Sequence, residues 1–79
     1  MSNEEQFEKF RVAAVDVLKV DPAKVTMEAR FGEDLDADSL DLVELIMRLE
    51  DDFGVEIPES ELDDVDTVGK AYNLVTSKL

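Results

Sequence analysis

The sequence predicts an all-α bundle of three main helices and one short helix, with a long loop after the first. Two observations lead there. Apolar residues recur at helical spacing in three separate stretches, and cap and stop residues sit at their ends. No internal repeat, low-complexity segment or linker divides the 79 residues, so positions 1–79 read as one domain near the lower size limit for folding unaided.

The first helix is expected from about residue 3 to 19. Ser2 or Asn3 can cap it, Glu4 and Glu5 suit its first turn, and Lys19 suits its last. Phe7, Phe10, Ala14, Val17 and Leu18 share one face. In the connection that follows, Asp21-Pro22 marks a short turn through Val25, with the proline at the first position. A loop of this length needs apolar anchors, and Phe31 and Leu35 are the candidates. Phe31-Gly32-Glu33-Asp34 reads as a tight turn.

The second helix is expected from Ser39 to Phe53. Asp38 is its N-cap, Ser39 and Asp41 take its first and third positions, and Gly54 supplies a left-handed stop. Leu42, Leu45, Ile46, Leu49 and Phe53 make a wide inner face. A second stripe of Leu40, Val43 and Met47 leans towards the acids Asp41, Glu44 and Asp51, and reads either as core or as a partly exposed flank. Val55 to Pro58 is extended, because the residue before proline avoids the helical region. Pro58 to Leu62 is the short third helix, with Leu62 and Val65 inward. Thr67 caps the last helix, whose inner face is Val68, Ala71, Tyr72 and Val75, with Leu79 near its end, and Gly69 weakens its first turn.

Composition excludes much. With no Cys there is no disulfide, thiolate nucleophile or zinc-thiolate site, and with no His the commonest general base and metal ligand are missing. Ser/His/Asp and Cys/His catalysis are out. No apolar run approaches a membrane span, and the opening residues lack the basic start and apolar core of a signal peptide, so a cytoplasmic protein is expected. The net charge is −13, concentrated between Glu33 and Asp66, where 15 acids face one base, Arg48. That field repels nucleic acid and anionic membranes, and attracts basic protein surfaces or loosely held divalent cations. No large unexplained apolar face remains, so a monomer is expected.

The stretch Leu35-Asp36-Ala37-Asp38-Ser39-Leu40-Asp41-Leu42-Val43-Glu44-Leu45 concentrates the candidate chemistry. Asp34, Asp36 and Asp38 match positions 1, 3 and 5 of a calcium loop, but position 6 is Ser39 instead of glycine and position 12 is Leu45 instead of glutamate. No specific metal site is expected. On local physics alone, Ser39 is a helix-start residue, and the acidic helix an adaptor surface for basic partners.

The same stretch resembles the prosthetic-group site of acyl carrier proteins. The resemblance extends over nearly the whole chain, through Val25-Thr26, Phe31 before Glu33-Asp34-Leu35, Leu49-Glu50-Asp51-Asp52-Phe53, Glu56-Ile57-Pro58 and Thr67-Val68. It implies a four-helix acyl-carrier-type bundle that is not an enzyme. It also implies 4′-phosphopantetheine joined to Ser39 from coenzyme A by a separate magnesium-using phosphopantetheinyl transferase, with acyl groups held as thioesters on its thiol. By the same resemblance, Asp38, Leu40, Asp41, Val43, Glu44, Met47, Glu50 and Asp51 meet basic patches of partners: acyltransferases, ketosynthases, reductases and dehydratases. Phe31, Leu35, Leu42, Met47, Leu49, Ile57, Leu62, Val65, Ala71 and Leu74 are expected to line or border a cavity for the acyl chain. The acid before Ser39 and the acidic helix favour fatty acid synthesis over peptide-type carriers, with a discrete polyketide carrier as the alternative. Asp36 stands where that family often has glycine, and Arg48 where a small neutral residue is common.

Overall fold

The computed structural model describes residues 3–79, and the cap expected at Ser2 or Asn3 lies outside the described side chains. Helix α1 spans Asn3–Leu18. It stops because Lys19 turns left-handed (φ 59°) while its N–H still donates to the Val15 carbonyl at 2.9 Å. A lysine here takes the role glycine usually fills, so the helix ends one residue short of the expected boundary. Phe10 and Ala14 are buried as expected, and Ala13 joins them, while Phe7, Val17 and Leu18 are half-buried. Phe7 and Phe10 meet Tyr72 edge-on, with ring centroids 5.2 and 5.9 Å away, which ties α1 to the last helix.

In the connection, a 3-10 turn spans Pro22–Lys24, and the Asp21 carboxylate caps it by accepting from the Ala23 N–H. The turn at Phe31 is closed by Asp34 N–H and Leu35 N–H, both donating to the Arg30 carbonyl. Phe31 and Leu35 are buried, as their anchor role requires. The loop is also stitched to the start of the last helix. Phe31 N–H donates to the Asp66 carbonyl (3.0 Å), Val68 N–H to Ala29 (2.9 Å) and Gly69 N–H to Met27 (2.9 Å), around an antiparallel bridge between Arg30 and Thr67. This pairing gives Gly69 a purpose. A Cβ there would lie 2.8 Å from the Met27 carbonyl oxygen. Alanine normally improves a helix by about 1 kcal/mol over glycine. Here the overpacking cost of about 1–3 kcal/mol opposes that gain. Gly69→Ala is expected to lower the urea midpoint, where propensity alone predicts a rise.

Helix α2 spans Ser39–Phe53 and ends at Gly54, left-handed as expected (φ 68°). The short third helix appears as a 3-10 turn, Glu59–Leu62, without a side-chain cap bond. Only four residues long, it closes with i→i+3 bonds such as Glu61 N–H to the Pro58 carbonyl. Helix α3 spans Val68–Ser77, capped by Thr67, whose hydroxyl accepts from Lys70 N–H at 3.2 Å. Val68, Ala71, Tyr72 and Val75 are buried, but Leu79, beyond the helix end, is exposed instead of inward. The described residues form helices and 3-10 turns with no strand, the helical bundle the sequence predicts.

Helices α1 and α2 run antiparallel, since Lys9 stacks over the Phe53 ring (4.9 Å) while Asp16, further along α1, meets Arg48, earlier on α2. Arg48 also pairs with Asp52 at 3.0 Å. The Arg48 hydrogen bond and charge, with help from Lys19, hold the Asp16 carboxyl below its usual 3.8. A carboxyl depressed by folding contributes stability above its unfolded pKa and loses it as pH falls through the folded value. Asp16→Asn is therefore expected to narrow the gap between urea midpoints measured at pH 7 and below pH 3.8, by lowering the pH 7 value.

Candidate functional site

Ser39 is the first residue of α2, and the turn leading into it is held tightly. Ala37 is buried and its N–H donates to the Phe31 carbonyl at 2.8 Å. Asp36 is left-handed (φ 53°), so the position where glycine was expected is filled by a residue type that tolerates this region. Asp38 then caps α2 reciprocally. Its carboxylate accepts from Asp41 N–H (2.9 Å), and the Asp41 carboxylate accepts from Asp38 N–H (3.2 Å), a capping box built from two aspartates. The box engages both acids on the backbone and leaves the Ser39 side chain outside it. That side chain is exposed, and its hydroxyl has no hydrogen-bond partner among the described residues.

This arrangement can present a hydroxyl but not activate it. There is no histidine, and the two flanking carboxylates are held by amides. The site is accessible, and the amides of the first helical turn favour an anion beside it. A phosphodiester on such a hydroxyl fits both the room and the donors.

The other expected residues divide between surface and interior. Leu40 (65% exposed) and Met47 (60%) lie on the outside with Glu44 and Asp51, while Val43 and Asp41 are half-buried on the same side. Glu44 and Asp51 make no ion pair among the described residues, because the Arg48 guanidinium turns to Asp16 and Asp52 instead. Glu50 is half-buried, and its carboxylate accepts from Ile57 N–H at 3.0 Å, which anchors the extended segment after α2. Sequence reasoning missed Val55 and Glu56, which join Met47 and Asp51 around a shallow concavity of about 390 Å³. Their signals were the extended segment expected after Gly54 and, for Glu56, the Glu56-Ile57-Pro58 stretch of the resemblance.

Of the residues expected around an acyl cavity, Phe31, Leu35, Leu49, Ile57, Val65 and Ala71 are buried, and Leu42, Leu62 and Leu74 are half-buried against the same core. Met47 does not join them. Its spacing of four from Val43 and seven from Leu40 keeps it on the outer stripe.

The structure is thus a small helical bundle that exposes the Ser39 hydroxyl at the mouth of an acidic helix. A family model described as a phosphopantetheine attachment site matches residues 8–75. The chain is 49% identical over all of its 79 residues to the acyl carrier protein of Petrotoga mobilis, covering 93% of that protein. It is equally similar to that of Thermosynechococcus vestitus, covering 98% of it. The chain belongs to the acyl carrier protein family, whose members carry covalent 4′-phosphopantetheine.

Proposed function

We propose that Ser39 is the attachment residue and that the protein carries acyl intermediates between enzymes of fatty acid synthesis in the cytoplasm. The observation that carries this reading is the exposed, unpartnered Ser39 hydroxyl beside a capping box that occupies both neighbouring acids. The arm supplies the terminal thiol that holds acyl groups as thioesters, which a chain without Cys lacks. The chain itself orients the serine and offers a docking face.

That face is Leu40, Val43 and Met47, rimmed by Asp38, Asp41, Glu44 and Asp51, with Glu50 at its inner edge. Uncompensated rim acids steer basic partners and raise the association rate more than the final affinity. Each exposed pair contributes under about 1 kcal/mol, which suits rapid exchange among acyltransferases, ketosynthases, reductases and dehydratases. Phe31, Leu35, Leu42, Leu49, Ile57, Leu62, Val65, Ala71 and Leu74 border the interior that shelters the acyl chain when it is drawn in. The acid before the serine and the density of acid along α2 support fatty acid synthesis over a peptide-type carrier, and a discrete polyketide carrier is the second reading that the loading experiment separates.

Intact mass after incubation with coenzyme A, magnesium and a broad-specificity phosphopantetheinyl transferase is expected to rise by one phosphopantetheine. The product should then accept malonyl groups from a fatty-acid-synthesis malonyl transferase and support its condensing enzyme. Mass gain without loading would favour a polyketide carrier, and no gain would remove the carrier reading.

A further inference from the structure

A second concavity, of about 320 Å³, lies where the end of α1 meets the turn before Ser39. Its walls include Lys19, Lys24 and Asp36, and its apolar surface comes from the half-buried Leu18 and Val20, with Leu35 buried behind them. Two features separate it from the rest of the surface.

The first is its cations. Arg11, Arg30, Arg48, Lys70 and Lys78 each pair with a carboxylate, and Lys9 covers the Phe53 ring. Lys19 and Lys24 have neither an ion pair nor a side-chain hydrogen bond among the described residues, and both line this one concavity. The nearby carboxylates of Asp21 and Asp34 already accept from the backbone amides of Ala23 and Arg30. Asp36 makes no hydrogen bond or ion pair among the described residues, so the walls offer two ammonium donors, Lys19 within the longer-range field of Asp16, and one carboxylate acceptor.

The second is its backbone. Lys19 and Asp36, the two non-glycine residues with positive φ among the described residues, both line it. Such residues persist only where surrounding structure holds them, and they concentrate at functional sites.

We infer that this concavity is a resting subsite for the pantetheine arm, taking its amides on Lys19, Lys24 and Asp36 and its methyl groups on Leu18 and Val20. The inference rests on Ser39 being the attachment residue. Asp36 precedes Ser39 by three positions, a span of at most roughly 10 Å. The arm's amide carbonyls suit ammonium donors, and its hydroxyl and amide N–H groups suit a carboxylate. Exposed contacts of this kind are individually weak. A covalent tether, however, presents the arm at an effective concentration on the order of millimolar, so a weak site is populated without strong contacts. Weak retention also leaves the arm free to enter a partner enzyme.

The test compares amide ¹H–¹⁵N spectra of the unmodified and modified full chain, with modification verified by intact mass. Shifts are expected at Lys19, Val20 and Lys24, remote in sequence from Ser39, as well as at residues 36–42. In Lys19→Asn/Lys24→Gln, whose unmodified spectrum reports the fold, the modification-dependent shift at Val20 should fall by at least half while those at residues 36–42 persist. Asparagine is chosen because it tolerates the left-handed backbone at position 19. Shifts confined to residues 36–42, or running down the outer stripe to Met47 and Val55, would overturn the subsite and leave the attachment intact. No mass gain would overturn both.

Discussion

Ser39→Ala is expected to abolish uptake of phosphopantetheine completely while leaving the fold nearly unchanged. The two halves of this expectation have separate causes. Uptake is lost because, on the proposed reading, the Ser39 hydroxyl oxygen is the atom that becomes esterified, and alanine offers no such oxygen. The fold survives because the Ser39 hydroxyl makes no hydrogen bond among the described residues, while the reciprocal Asp38–Asp41 bonds that start α2 remain. Alanine is also the better helix former at this position. The stability change should stay within about 0.5 kcal/mol, as for surface positions without special features. Intact mass with transferase and coenzyme A measures the first half, and urea unfolding measures the second. A variant that still gained mass would place the attachment elsewhere. One that lost mass gain and unfolded would show that the serine's role is structural.

Leu49→Ala is expected to have the largest effect on stability. Leu49 is fully buried and lies on α2 next to Arg48, which ties that helix to α1. Removing a buried leucine to the β-carbon costs about 2–5 kcal/mol, through lost transfer free energy and the cavity left behind. A chain of this length is stable by about 4–12 kcal/mol on the usual per-residue scale, so one substitution removes a large share. The thermal midpoint should fall by roughly 10 °C or more. Met47→Ala is the control two residues away. Met47 is 60% exposed, so its truncation should cost little stability and act instead on partner association. Circular dichroism melts of both variants check the contrast. Equal losses would mean that the outer stripe is packed in solution.

The helices and their ends were legible from sequence because the rules that set them act over a few residues. Asp38, Gly54 and Thr67 cap or stop helices through groups three or four positions away, and each stands where expected. The same local rules put Ser39 at the mouth of α2, but only the resemblance over nearly the whole chain marked it as a candidate site. Lys19 was harder, since a lysine carries no sign that it will turn left-handed.

The tertiary structure decided what lies between elements. It joined residues 27–31 to residues 66–69, turned Arg48 towards Asp16 and away from Glu44 and Asp51, and assigned Met47 to the surface instead of the interior. It also brought the end of α1 to the turn before Ser39. A periodic pattern shows which residues share a helix face, but not what that face meets. That depends on how the helices cross and how the loop is tied down, through backbone hydrogen bonds and ion pairs between residues more than thirty positions apart in the chain.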